Sequence, residues 1–185
     1  MKKISALLLL LASTAYAQPN TEIYLFDLKA DGISNPVNIS MNDGYDNQPS
    51  FWSDDASILY ARSVNGQTEI ARYFIASKET KIISNTLQGG EYSPLKIPGD
   101  EAISAIRLDT TGLQLLYIYA LNGNWKVAVP DLKIGYHAWI SSDELISFVL
   151  GEPATLQHIN TKTGKTKMLR SNIGRSLHKI PKTAE

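Results

Sequence analysis

The sequence predicts an all-β fold, on three observations. From Gln18 onward no run of useful length places apolar residues at helical spacing. Short segments rich in β-branched and aromatic residues recur instead, separated by glycine-containing turns. The same order of residue types also returns along the chain at steps of 45, 43 and 41 positions.

The expected strands follow in order. Glu22 to Leu28 holds Ile23, Tyr24, Leu25 and Phe26 and runs into Asp31-Gly32, which tolerates positive φ and permits a reversal. Val37 to Ser40 is the returning strand. Ser57 to Arg62 and Thr68 to Ile75 flank Asn65-Gly66, a strong hairpin signal, and Lys81 to Ser84 comes next. Glu101 to Leu108 and Leu113 to Leu121 flank Thr111-Gly112, and Trp125 to Val129 returns across Asn122-Gly123. Glu144 to Leu150, Thr155 to Asn160 and Lys165 to Leu169 complete the set, with Thr163-Gly164 between the last two. Both alternating sets of Leu113 to Leu121 are mostly apolar, so that strand is expected to be covered on both faces. Lys165-Thr166-Lys167-Met168-Leu169-Arg170 is lysine-rich, the character of a rim strand protected from edge-to-edge pairing.

The repeat organises these strands. Asn47-Gln48-Pro49-Ser50-Phe51-Trp52-Ser53-Asp54-Asp55 enters Ile58-Leu59-Tyr60-Ala61-Arg62, then a glycine turn, then Glu69-Ile70-Ala71-Arg72-Tyr73. Glu91 to Asp100 leads in the same way into Ala102 to Arg107, and Gly135 to Asp143 into Leu145 to Val149. A fourth copy begins at Arg175-Ser176-Leu177-His178-Lys179-Ile180-Pro181; Pro49, Pro94, His137 and His178 are equivalent. A period in the low forties with about four strands per copy is the signature of a β-propeller blade, a four-stranded antiparallel sheet set radially about an axis. The count is three full blades plus partial blades at both ends: Thr21 to Ser40 as outer strands of one, Arg175 to Ile180 as the innermost strand of another.

Gln48-Pro49-Ser50-Phe51-Trp52-Ser53-Asp54-Asp55, followed by Ile58 to Ser63 and Gly66, resembles the TolB-type (WD-like) propeller repeat. That repeat combines a proline, a Ser-Trp-Ser-Pro-Asp-Gly turn, an apolar strand and a glycine hairpin. The resemblance spans Thr21 to about Pro181 and is good in the first copy. It is degenerate in the next two, where Pro98-Gly99-Asp100 and Ser141-Ser142-Asp143 stand in for the turn, and even the first copy has Asp54-Asp55-Ala56 in place of the usual proline and glycine. The resemblance implies six blades, so the chain reads as a partial propeller, incomplete at its C-terminus. The alternative is a small four-bladed ring, closed by joining the C-terminal strand to the N-terminal pair. Functionally, the resemblance implies a non-catalytic binding or scaffold module with a protein or glycan partner at one propeller face. Its alternative is the propeller portion of a prolyl-oligopeptidase-like hydrolase whose catalytic Ser, Asp and His would lie in a following domain.

Composition narrows the function classes. Of 185 residues, 43% are hydrophobic, and 18 basic residues balance 18 acidic ones, which is no footprint of a nucleic-acid binder. Lys2 and Lys3, the apolar stretch Ile4 to Ala12 and Ala15-Tyr16-Ala17 read as a signal peptide over residues 1–17, with the propeller domain over 18–185. The apolar stretch falls well short of the ~20 residues that span a bilayer, so no membrane span is expected after cleavage, and the mature chain is expected in a periplasm or outside the cell. With no cysteine, the protein has no disulfide, thiol nucleophile or thiolate metal site, and its stability must come from a buried core. Charge is uneven: residues 18 to 155 carry nine basic and seventeen acidic side chains, and residues 156 to 185 carry seven and one. The basic end reads first as solvated strands and turns, with a docking patch for an acidic partner as the second reading.

No catalytic, cofactor-binding or metal site is expected, since neither G-x-S-x-G, a P-loop nor H-E-x-x-H occurs. His137 and His178 hold equivalent repeat positions and read as structural, with a role in a central channel as the alternative, and His158 lies mid-strand. Asn42, Asp43, Asp46 and Asn47 around Gly44 match no calcium loop and read as turn caps. Tyr45, Tyr92 and Tyr136 precede the first strand of their repeats, so they are expected to gather on one face of the disc as partner contacts or to pack in the core.

Overall fold

The computed structural model describes residues 19–53 and 55–180; the expected leader over residues 1–17 and Asp54 of the repeat turn lie outside them. An N-terminal pair, β1 (Tyr24–Lys29) and β2 (Gly32–Asn38), is followed by three four-stranded sheets. The first blade is β3 (Asn47–Phe51), β4 (Ser57–Val64), β5 (Gln67–Phe74) and β6 (Glu79–Ile82). The second is β7 (Gly90–Lys96), β8 (Ala102–Leu108), β9 (Gln114–Ala120) and β10 (Trp125–Val129). β11 (Ile134–Trp139), β12 (Glu144–Val149), β13 (Thr155–Asn160) and β14 (Thr166–Ser171) form the third. Strands within each sheet are antiparallel and follow chain order, because each connection is a tight turn. The result is an open arc of propeller blades. No helix among the described residues is long and apolar enough to cross a membrane.

The first and second blades bury both faces against neighbours, as the two-sided apolar pattern requires, and the third buries the face it turns toward the second. Ile23 and Ile39 of the N-terminal segment pack on Ile58, Tyr60, Ala71 and Tyr73 of the first blade. The opposite face of that blade sets Trp52, Leu59 and Ile70 against Ile103, Ala105 and Tyr119 of the second. A third layer joins Ile106 and Leu116 to Ile134, Trp139, Leu145, Val149 and Ile159. Complete burial of one such aliphatic side chain stabilises by roughly 1.5–3 kcal/mol. The outermost strand β14 is exposed along its whole length, in keeping with its lysines.

Polar groups repeat across these layers as well. Ile70 N–H donates to Ser84 Oγ at 2.7 Å, and that hydroxyl donates to the Glu69 carboxylate. One copy earlier, Ile23 N–H donates to Ser40 Oγ at 2.9 Å, and Ser40 donates to Glu22. The third-strand glutamate therefore ties down the chain leaving its blade. A buried acid at the next inner strand follows each time, Asp46 immediately before β3 and Glu91 within β7.

Three strands were not among those expected. The inner strands β3, β7 and β11 lie under the repeat's entry motif, where a bulge in each, with a proline in β3 and β7, interrupts the alternation that marks a strand. Gln48 and Ser93 adopt left-handed φ of 56° and 51° just before Pro49 and Pro94, so two residues there oppose one on the partner strand. β2 begins at Gly32 instead of Val37 and carries Pro36, which an outer strand accommodates because one side needs no ladder donor. Arg175 to Ile180, expected as an innermost strand, is irregular and lies beside β11, where Lys179 Nζ donates to Ile140 O at 3.3 Å. No second strand follows it among the described residues, so no ladder holds it extended.

Candidate functional site

The inner strands of the three blades and the segment after β14 enclose a trough of about 680 Å³. Gln48, Ser50 and Phe51 come from β3, Lys96 from β7 and Tyr136 and His137 from β11. Strand bulges bring the first two walls together: Ser93 N–H donates to Gln48 Oε1 at 2.7 Å, and Ser50 Oγ donates to Pro94 O at 2.6 Å. Arg175 and Lys179 reach in from the last segment, with the Arg175 guanidinium 5.8 Å from the Tyr136 ring. Lys96, whose side chain is largely buried, lies 4.8 Å from the Trp52 ring centroid and donates to Ile97 O at 3.1 Å. Among the described lining residues the charged groups are cationic and none is acidic, while Phe51 adds an exposed aromatic face.

His137 is 4% exposed on the wall of this trough. Its Nε2 stands 2.7 Å from Ser104 Oγ of the second blade, which also accepts Trp139 Nε1–H at 2.8 Å. Burial pushes the imidazole down to about 3, so the ring is neutral near pH 7. A serine nucleophile must be reachable and its base must be oriented by a third group. Ser104 is completely buried and His137 Nδ1 has no partner among the described residues, so the trio joins two blades and presents no attacking oxygen to solvent. His178 lines the same trough from the exposed final segment, and His158 faces Glu144 at 3.9 Å on the third blade.

The three tyrosines are brought near one another. Tyr45 and Tyr92 meet edge-on with centroids 6.2 Å apart, and Tyr136 packs on Phe148 at 6.1 Å. Burial raises the Tyr45 phenol, and Tyr92 and Tyr136 add to that rise. Tyr92 and Tyr136 lie within β7 and β11 and not ahead of them; only Tyr45 precedes its strand. In the oxygen-rich loop, Asn42 Nδ2 donates to Asp46 Oδ1 at 3.3 Å and to Ser63 O at 3.1 Å, which spends its amide on local structure. Among the described residues no group of three or more His, Asp or Glu stands where it would hold a metal.

Gln48, Ser50, Phe51, Lys96, Arg175 and Lys179 were all inside or beside the repeated entry motif, yet none was singled out as a site residue. The available signal was the repeat itself, since residues at one repeat position converge on one propeller surface.

This architecture defines a β-propeller, here an open arc. No family model matches the chain, and no curated protein matches it. Among solved structures, it is similar to TolB from Acinetobacter baumannii, with a TM-score of 0.60 at 18% identity over 81% of this chain and 41% of that one. A structure of a nidogen/laminin complex matches with a TM-score of 0.65 at 11% identity over 84% of this chain and 60% of that one. A puromycin-hydrolyzing peptidase of Mycobacterium tuberculosis matches with a TM-score of 0.60 at 13% identity, over 83% of this chain and 25% of that one. At these identities the likeness is one of fold: a TolB-like propeller arc that spans less than two thirds of each of these chains.

Proposed function

We propose that the chain is an exported, non-catalytic propeller module that holds a protein partner in the trough between its inner strands. The cationic and aromatic lining carries this reading: Arg175, Lys179, Phe51 and Tyr136 surround a concave surface with no acidic side chain among its described lining residues, and Lys96, largely buried in the wall, is already paired with Glu101 at 3.9 Å. Such a surface favours an extended acidic peptide, whose carboxylates meet Arg and Lys while its backbone meets Gln48 and Ser50. A neutral glycan would be held by its hydroxyls and rings and would gain nothing from the charge. Export rests on the sequence of residues 1–17. The solved nidogen/laminin complex, a protein assembly, supports a protein partner by analogy of fold alone.

Fluorescence anisotropy of the full chain with a labelled aspartate-rich peptide and its lysine-rich counterpart tests the binding site. Preference for the acidic peptide, weakened by added salt and by Arg175→Glu, is expected. Equal or absent binding of both peptides removes the proposal. Processing is checked separately by N-terminal sequencing of the exported protein, which is expected to begin at Gln18.

A second reading follows from the fold shared with the puromycin-hydrolyzing peptidase, of which the matched region is 25%. Here the arc would be the propeller portion of a hydrolase, with the catalytic residues in another domain. The mass of the protein from its native source decides between them, because a catalytic domain adds far more mass than the few blades that complete a ring.

A further inference from the structure

The two ends of the arc present faces built like the ones buried inside it. On β1, Tyr24 and Phe26 point away from the first blade and are exposed, as are Leu28 and its cross-strand partner Ile33, at 84% and 66%. Aligning Glu22-Ile23 with Glu69-Ile70 makes Tyr24 and Phe26 the counterparts of Ala71 and Tyr73, both buried between sheets. At the far end, Tyr136, Phe148 and Leu156 are cross-strand neighbours on one face of the third blade, with Ile146 beside them. The register makes Ile146, Phe148 and Leu156 the counterparts of Ser104, Ile106 and Leu116 in the second blade and of Leu59, Ala61 and Ile70 in the first. All six counterparts are buried, whereas the three residues of the last blade are half-exposed. Both ends are thus blade-to-blade surfaces without a blade against them among the described residues.

Charge distinguishes the two. Residues 19–45 carry Glu22, Asp27, Asp31 and Asp43 against Lys29 alone. Across the β11–β14 blade and the segment after it, Lys162, Lys165, Lys167, Arg170, Arg175 and Lys179 outnumber Asp143, Glu144 and Glu152, and Lys167 and Arg170 stand directly across from His158 and Leu156 at the margin of the apolar face. Either end placed against its own copy would juxtapose like charges, whereas one end against the other pairs opposite charges around an apolar centre. We propose that a second copy of this chain docks head to tail, the β1–β2 face of one copy covering the outer face of the β11–β14 blade of the next. Such a contact is heterologous, and it builds a closed ring or an open chain according to the angle between copies.

Sedimentation velocity of the full chain over a wide range of concentration, at low and high salt, tests this. Self-association that weakens with salt is expected. Leu28→Glu on one face, and Lys167→Glu with Arg170→Glu on the other, should each weaken it at least about tenfold. All three residues are exposed, so melting temperatures near the parent's will show that the variants fold. The decisive step is a mixture: each variant keeps one intact face, so the two together should form a one-to-one pair that neither forms alone. A monomer at every concentration overturns the proposal and leaves these faces to blades of a longer chain. Association indifferent to both variants, or a mixture that does not pair, overturns it equally.

Discussion

His137 Nε2 lies 2.7 Å from Ser104 Oγ across the junction of the second and third blades, with both side chains out of water. This contact uses the neutral imidazole, because no carboxylate lies among the groups bonded to the ring and burial disfavours its charge.

Acid should therefore loosen this junction. The imidazole is held down to about 3 in the folded state against 6.5 for the ordinary group, so the unfolded chain binds the extra proton first. The contribution is complete above about pH 6.5 and is lost progressively as pH falls toward 3, with a slope approaching about 1.4 kcal/mol per pH unit. Urea unfolding at a series of pH values should show this slope in the parent and a shallower one in His137→Gln. Equal slopes would remove His137 as the source.

Glu91 should act with the opposite sign. Its carboxyl is fully buried, accepts hydrogen bonds from Thr86 Oγ1 and from Tyr119 OH at 2.9 Å, and is pushed up chiefly by that burial, with Glu69 adding to the effect. A raised acid stabilises fully below its unfolded value near 4.5 and loses that contribution as pH rises through the folded value. Glu91→Gln should gain melting temperature relative to the parent as pH increases from 4 to 8, and thermal scans at both ends of that range check it.

Gly89 permits a close approach that no side chain would. Its φ is 113°, and an added Cβ would stand 2.6 Å from the backbone oxygen of Leu108, which cannot rotate aside. Gly89→Ala should destabilise by about 1–3 kcal/mol or more. Gly164→Ala, with φ 70° and open space around it, should cost only about 1 kcal/mol, and equilibrium urea denaturation compares the two.

Trp52 reports on the seam between the first two blades. The Arg72 guanidinium sits 3.6 Å from its ring centroid, and the indole is 4% exposed. Trp52→Ala should cost about 3–5 kcal/mol, and Trp52→Phe, which retains a ring beneath the cation, distinctly less. Chemical denaturation followed by far-ultraviolet circular dichroism measures both without relying on the missing fluorophore.

Most of the fold was legible because strand patterning and hairpin chemistry are local. Asn65-Gly66 joins β4 to β5 and Thr111-Gly112 joins β8 to β9 where the turn residues place them, and the repeat steps reappear as the shared registers Ser50 with Leu59 and Leu95 with Ser104. The inner strands were less legible: Pro49 and Pro94 with their bulges break the period of two, and only pairing to β4 and β8 makes them strands. Of the site, the cationic trough could not be read from the sequence, and Tyr45, Tyr92 and Tyr136 were expected together on the premise that each precedes its repeat's first strand, which holds for Tyr45 alone. Arg175 and Lys179 come to line one trough with Lys96 only after the intervening blade has turned the chain back toward the axis.

The sequence by itself determined an all-β repeat protein, its turns, its blade count and its lack of disulfides, since each depends on residues a few positions apart or on identity alone. Tertiary structure decided which face of each strand is buried, that His137 is sealed against Ser104 while His178 stays exposed, and that Tyr24 and Phe26 meet water where Ala71 and Tyr73 do not. A strand's alternation creates two faces, but what lies against each face comes from a sheet some forty residues away along the chain.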